Sequence, residues 1–280
     1  VNASTTRIKD GMEIMTDTPA VIQARKDALA KILERHNKSC LYCMRSTSCE
    51  LQELLHEYGF TDEPELPREK LEMLDTSSKV LVRDNNKCIR CKRCINVCAK
   101  MQAVSAIAAT GEGLDAVIAP SSPKGLAAAS CVNCGQCVAV CPTGALTEID
   151  QTEEVKKALA DPEKYVVVQV APAVRAALGE DFEFPIGVDV EGRIAEALRR
   201  LGFDKVFDTK FGADLTIMEE SHELIERIQK DGVLPMITSC CPGWVKYAEH
   251  FYPDMLDNIS TCKSPHQMEG AIVKSFIAAN

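Results

Sequence analysis

The chain has 280 residues, a formal net charge of −9 and 26% charged side chains, enough length for one large domain and one or two small ones. Its acidic balance excludes non-specific nucleic-acid binding, which needs a basic face. Fourteen cysteines fall in tight groups, unlike the frameworks of small secreted disulfide domains, so metal ligation in a reducing, cytoplasmic setting is expected.

Residues 1–18 read as the end of a small domain, with a turn at Asp10-Gly11 and a short alternating strand after it. Thr18-Pro19 reads as an N-cap with proline at the first helical position. The helix that follows, Ala20 to His36, puts Val21, Ala24 or Ala28, Ile32 and His36 on nearly one face. A first cysteine group comes next, then a short helix near Leu51 to Tyr58 and an acidic, proline-bearing linker from Thr61 to Lys70.

Residues 78–150 form a second unit with an internal repeat. Cys88, Cys91, Cys94 and Cys98 recur at a constant offset of 43 as Cys131, Cys134, Cys137 and Cys141. The run from Gly125 to Thr147 has no charged residue, but its cysteines, proline and glycines exclude a membrane span. No secretory signal is visible; the chain opens on Val1, which leaves any upstream targeting segment open. From residue 151 onward, strands and helices alternate. Residues 165–172, 204–210 and 232–239 read as buried strands, each followed by a loop and a helical segment such as Asp214 to Lys230. That order predicts a parallel α/β sheet with its functional loops at the strand carboxyl ends. Cys240 and Cys241 sit just past such an end, and only one of the two is expected to point inward.

Cys-x2-Cys-x2-Cys-x3-Cys, present twice, is the strongest signal. Three thiolates on one tight loop take three corners of an iron–sulfur cube, and in two-cluster ferredoxins the fourth cysteine of each run ligates the other cluster. Cys88, Cys91, Cys94 and Cys141 are therefore assigned to one [4Fe–4S] cluster, and Cys131, Cys134, Cys137 and Cys98 to the other. The proline that follows the last cysteine is present at Pro142 and replaced by Ala99 in the first copy. A pair of zinc sites is the competing reading, disfavoured because zinc uses paired Cys-x2-Cys knuckles. Lys87, Arg90, Lys92 and Arg93 crowd the first run; they offset cluster charge, dock an acidic electron carrier, or simply face solvent. His36, Cys40, Cys43 and Cys49 form a further set in which His36 is the nearest fourth ligand, with structural zinc the alternative on spacing alone. The segment Gly111 to Ala116 matches a dinucleotide fingerprint by spacing, but lacks the strand before it and the helix after it that the motif requires, so no NAD or flavin site is assigned.

The spacing at His36 resembles the histidine-plus-three-cysteine [4Fe–4S] site shared by iron-only hydrogenases and the large iron–sulfur subunit of NADH dehydrogenases. The segment "TSCCPGW", Thr238 to Trp244, resembles the first active-site motif of [FeFe]-hydrogenases, as do "VAPAVR" (Val170 to Arg175), "FGADLTIMEE" (Phe211 to Glu220) and "CKSP" (Cys262 to Pro265). The resemblance implies three [4Fe–4S] clusters and an H-cluster, a fourth cube joined to a two-iron unit with CO and CN⁻ ligands. It implies reversible H2 oxidation and proton reduction. Cys241 would ligate the cube, and Cys240 would relay a proton outward through Glu220, Ser260 and Glu223. Glu220 and Glu223 are three apart on one helix face; without the resemblance they read as a solvated acidic face. Ala171 and Pro172 would lie against the two-iron unit, with Pro265 and His266 near the same pocket; His266 stands where a glutamine is common. Cys262 has no role in the resemblance and is expected as a buried free thiol. The Cys88 cluster is expected nearest the active site, with the His36 site farther out.

The implied architecture is α+β accessory iron–sulfur domains followed by part of an α/β active-site domain with a parallel sheet. Its divisions are 1–18, the remnant of an upstream [2Fe–2S] domain; 19–77, the His36 site and linker; 78–150, the two-cluster ferredoxin-like domain; and 151–280, an incomplete active-site domain. The later motifs that complete the H-cluster do not occur before Asn280, so a missing C-terminal portion of the same enzyme is expected, and this chain alone is not expected to turn over H2. The electron partner is expected to be ferredoxin, a flavin subunit linked to NAD(P)H, or a formate dehydrogenase. Two other classes remain: a pure electron-transfer subunit, and a hydrogenase-like iron–sulfur assembly protein without H2 chemistry.

Overall fold

The structure is a computed structural model, and it describes residues 6–60, 74–111 and 116–277. The linker expected at Thr61 to Lys70 lies outside the described residues. The chain divides into two compact units: residues 1–131 with 135–149, and residues 132–134 with 150–280.

In the first unit, helix α1 (Pro19–Leu33) begins as its sequence dictates: the Thr18 side chain accepts from the Val21 N–H, and proline fills the first turn. It stops at Leu33, short of His36, and its buried positions are Leu29 and Leu33. Of the expected face, Ala24 and Ala28 are exposed, Val21 is half-buried, Ile32 packs against the leucine core and His36 is buried. Leucine wins the core because it removes more apolar surface from water than alanine. Leu29 and Leu33 meet Leu51 and Leu55 of α2 (Glu50–Glu57), with Cys49 and Ile89 packed against them. The Asp10-Gly11 turn forms, but residues 12–15 are not a strand, and Met12, Ile14 and Met15 are exposed. An extended segment is stabilised by ladder partners, and among the described residues this one pairs with none.

Three antiparallel strands, β1 (Leu74–Asp75), β2 (Leu81–Asp84) and β5 (Leu146–Glu148), lie in the order β1-β2-β5, with Arg83 opposite Leu146. Between β2 and β5 the chain makes short helix α3 (Arg93–Asn96), the antiparallel hairpin β3 (Ile107–Thr110) and β4 (Val117–Pro120), and short helix α4 (Gln136–Ala139). The sequence repeat is a backbone repeat. Arg90 and Lys92 have φ of 58° and 63°, and Asn133 and Gly135, 43 positions later, have 57° and 74°. Gly111 does follow a strand, contrary to expectation, but that strand pairs antiparallel with β4, the next described element, and so is not the first strand of a parallel dinucleotide-binding unit.

The second unit opens with α5 (Thr152–Leu159). Strands β6 (Val167–Val170) and β7 (Lys205–Asp208) pair in parallel, with α6 (Pro172–Ala177) and α7 (Glu191–Arg200) in the crossover. Helix α8 (Lys210–Gln229) follows directly, starting earlier than Asp214. The third expected strand, residues 232–239, reduces to one parallel bridge between Ile237 and Ile259; Pro235, which has no N–H to give, lies inside it. Helices α9 (Pro242–Phe251) and α10 (Pro265–Ile272) complete the unit, each with proline in its first turn. No helix among the described residues is long and apolar enough to cross a membrane.

Candidate metal centres and active-site cavity

In the first cysteine run, a left-handed residue before and after Cys91 turns successive backbone N–H groups toward one side, the geometry of an anion-binding nest. Arginine and lysine hold that conformation only at a cost of about 1–3 kcal/mol each, so the loop is shaped for what it encloses. Burial pushes the Cys94 thiol up to about 11, and the neighbouring Cys88, Cys141 and Cys91 add to it. Burial also raises Cys91, again with Cys141 and Cys88 close enough to contribute. The structure thus gathers Cys88, Cys91, Cys94 and Cys141 within electrostatic reach of one another. Among the described residues, no three His, Cys, Asp or Glu side chains converge on a single ion; a four-iron cube takes one thiolate per iron and asks for no such convergence.

Arg83 is the residue that sequence reasoning passed over. It is fully buried, donates from Nε to the Ile118 carbonyl at 3.0 Å, and turns Nη2 to Asn85 Oδ1 at 2.5 Å and to Cys88 Sγ at 3.7 Å. Its Nη1 has no partner. A buried guanidinium with a spare donor beside four thiols fits an anionic, thiolate-ligated cluster. The signal was available: in an alternating strand Arg83 shares the inward face of Leu81, a charge at a core position.

Cys98, Cys131 and Cys137 lie in the first unit and the exposed Cys134 in the second. Cys98 Sγ accepts from the Ala106 N–H at 3.3 Å, and Cys137 is buried in the same core as Cys94. Residues 132–134 pack with the second unit, where the Val132 carbonyl lies 3.6 Å from the position a side-chain carbon would take on Gly243, two residues beyond Cys241.

His36 is 9% exposed, and its Nδ1 has no partner. Burial lowers it to about 4, helped by the Lys87 charge, so the ring is neutral and offers a lone pair. It is hydrogen-bonded to the Lys87 backbone, and Asn37 N–H donates to the Asn86 carbonyl at 2.8 Å. The His36 segment is thereby tied to the loop that carries Cys88. On the same side Cys43 presses against Gly144, where a side-chain carbon would come within 2.6 Å of its sulfur. Cys40 and Cys49 are half-buried. An orphaned, neutral imidazole fits a metal-ligand role.

The second unit holds a cavity of about 770 Å³ whose wall includes Cys240, Cys262, Pro172, Thr209, Pro265 and His266. Four residues expected at an active site, Cys240, Pro172, Pro265 and His266, are brought together from three separate segments. Cys241 and Ala171 are not on this wall. Cys240 and Cys241 are both exposed, so the pair does not split into one buried and one open thiol; proline at the next position starts α9 and leaves Cys241 extended at its N-cap. Cys262 is partly exposed on the cavity wall, not buried, and Glu220, Glu219 and Glu223 lie close enough to add to the burial that raises its thiol.

Glu220 and Glu223 sit on the partly buried face of α8 with Thr216 and Arg227, while Ile217, Met218 and Ile225 of the same helix are exposed. Ser260 Oγ donates to Glu223 Oε2 at 2.7 Å, and the Thr261 N–H also reaches this carboxylate. Arg227, unnoticed in the sequence despite its i,i+4 spacing from Glu223, donates to Glu223 Oε1 at 2.7 Å and to the Asp257 and Ile259 carbonyls. Burial would raise Glu223, but Ser260, Arg227 and Thr261 together hold it below the ordinary carboxylate range. Glu220 Oε1 is buried without a partner.

Paired cysteine loops over a buried arginine mark the first unit as that of an iron–sulfur protein. Residues 164–280 match the iron only hydrogenase large subunit, C-terminal domain; residues 25–64 match the NADH-ubiquinone oxidoreductase-G iron-sulfur binding region, and residues 87–145 a 4Fe-4S dicluster domain. Over residues 164–280 the chain therefore carries an iron-only hydrogenase large-subunit domain. It is similar to the NADP-reducing hydrogenase subunit HndD of Solidesulfovibrio fructosivorans, 49% identical over 98% of this chain and 48% of that protein. It is also similar to iron hydrogenase 1 of Clostridium pasteurianum, 44% identical over 99% of this chain and 48% of the relative. The chain thus spans about half the length of the curated relatives it matches. The cytosolic iron-sulfur assembly component 3 of Bos taurus is 33% identical over 53% of this chain and 33% of its own length.

Proposed function

We propose that this chain forms the electron-relay part and the first active-site segment of an enzyme catalysing 2H⁺ + 2e⁻ ⇌ H2. The observation that carries the reading is the cavity in which Cys240 meets Pro172, Pro265 and His266. When bound, the iron–sulfur cubes and the two-iron unit supply electron transfer and the chemistry of the H–H bond. Cys241 would hold the active-site cube, and the two crossed cysteine sets would hold two further cubes. His36 with Cys40, Cys43 and Cys49 would hold a third.

The chain's own residues handle protons. Cys240 Sγ, on the cavity wall, would carry the proton between the reacting centre and the protein. Ser260 bridges toward Glu223 at 2.7 Å, and Arg227 keeps that carboxylate ionised, as the accepting end of the route. Glu220, with a buried oxygen free to bond, would stand between. Pro172 and Pro265 offer no backbone N–H and help exclude water from the wall. Electrons would enter at the His36 site and pass to the Cys88 set through the shared Lys87 loop, on their way to the active-site cube. The outer partner would be ferredoxin, an NAD(P)-linked flavin subunit or a formate dehydrogenase; the similarity to an NADP-reducing subunit favours the NADP-linked one. An upstream [2Fe–2S] group and cytoplasmic residence belong to the same proposal, as do the domain divisions near residues 18, 77 and 150.

An infrared spectrum of the anaerobically matured full-length enzyme tests the reading. Iron-bound CO and CN⁻ stretches are expected. Their absence from protein that retains cluster absorbance would leave an electron conduit and sink the hydrogenase assignment.

A further inference from the structure

Glu269 is 1% exposed, and neither carboxylate oxygen has a hydrogen-bond partner of good geometry. It sits where α8 and α10 come closest: a side-chain carbon on Gly212 would lie 2.2 Å from the Pro265 carbonyl and 3.1 Å from Glu269 Cβ. An ionised carboxylate in such a place is strongly disfavoured, because burial strips its water and supplies no donor in exchange. The polar side chain beside it is Thr209, which also lines the cavity.

The hydrogen-bond directions around Thr209 leave one arrangement. The His266 carbonyl can only accept, so the group facing it at 3.1 Å is the amide nitrogen of Gln169. That orientation turns the Gln169 amide oxygen toward Thr209 Oγ1, 3.2 Å away. The oxygen can only accept, so the single Thr209 hydrogen is spent on it. Toward Glu269, Thr209 then presents lone pairs alone. An ionised carboxylate is also acceptor-only and would face them with no hydrogen between. Asp208, at the end of β7, adds a negative charge nearby that is itself bound to Arg175 at 2.8 Å.

We propose that Glu269 is a neutral, proton-bearing carboxylic acid that heads a donor chain, Glu269 to Thr209 to Gln169 to the His266 carbonyl, and so positions the part of the cavity wall made by Ser264, Pro265 and His266. The chain is directional, each hydroxyl or amide donating onward to the loop of Ser264, Pro265 and His266. Glu269 is a positioning residue; it does not line the cavity. Burial raises its carboxyl above the ordinary carboxylate range, in the same sense. Only the identity of the cavity as an active site rests on the function proposed above.

The test is infrared difference spectroscopy of the full-length holoenzyme at neutral pH, Glu269 against Glu269→Gln. A protonated-acid carbonyl band, shifted in D2O and absent from the Gln variant, is expected; its absence overturns the proposal. Thr209→Val keeps the acid but removes its acceptor, and is expected to move that band to higher frequency; an unmoved band overturns the donor chain. Amide hydrogen exchange reads positioning. Glu269→Gln, which can still donate to Thr209, should leave residues 266–268 within about twofold, whereas Glu269→Met, neutral and of similar length, should speed them about fivefold, the effect of one lost hydrogen bond. Equal loosening in both variants overturns the positioning role. A band present in protein that lacks any CO and CN⁻ stretch would support this proposal while removing the hydrogenase reading.

Discussion

In the first unit the side chains that carry chemistry are also the core. Cys94 and Cys137 lie among Leu81, Ile107, Ile118, Leu126 and Leu146, with Cys88, Cys131 and Cys141 packed on the same cluster. The second unit is built the other way. Cys240 and Cys241 are exposed, the described sheet has two strands, and the cavity draws its wall from the start of α6, the start of α8, α9 and the Cys262–Gln267 segment that leads into α10. A cluster-binding loop carries its ligands within a few residues and shapes its own backbone through left-handed residues. A cavity needs several distant segments to arrive together. Damage to the first unit should therefore reach both fold and metal content, whereas damage to the second should reach turnover first.

The sharpest contrast is between two thiols. Replacing Cys240 by Ala in the full-length enzyme should lower hydrogen turnover by about 10²–10⁴-fold, the range for a lost proton-transfer group, with iron content unchanged. Turnover within a few-fold of wild type would remove Cys240 from the proton route. Replacing Cys141 by Ala should instead empty the cluster held by Cys88, Cys91 and Cys94, seen as the loss of one cube's iron and of its magnetic-resonance signal. Iron lost from the neighbouring Cys131 set would break the crossed assignment. Arg83→Met should cost about 3 kcal/mol of stability, since it leaves the Ile118 carbonyl and Asn85 buried without their cation; thermal unfolding of the anaerobic protein measures it.

A smaller effect, confined to the second unit, concerns Glu223 and its pH dependence. Its carboxyl is held below the usual range in the folded protein, so the contribution is present above the unfolded value and lost as pH falls through the folded one. Arg227→Met should cost about 1 kcal/mol at neutral pH, and the gap to wild type should narrow as pH falls below the ordinary carboxylate value. A gap that stays constant across that window would mean Arg227 acts only through the Asp257 and Ile259 carbonyls.

Much of the first unit was legible because its chemistry is local. The 43-residue repeat in cysteine spacing is also a repeat in backbone angle, and Thr18-Pro19 caps α1 as written. The face of α1 was misread because alanine and leucine share a helical period, and only the partner helix selects Leu29 and Leu33. The third strand of the second unit failed because a run of apolar residues becomes a strand only where a neighbour pairs with it, and here the neighbour offers one bridge at Ile259.

The sequence by itself determined the ligand types, their spacing and the "TSCCPGW" segment, since a thiol's chemistry and a loop's length travel with the local chain. Tertiary structure decided what spacing could not: it brought Pro172, Cys240, Pro265 and His266 from three distant segments to one cavity wall. Glu269 likewise became a functional candidate only on folding. A charge written as an ordinary surface residue acquires meaning when burial strips its water and leaves one partner, or none.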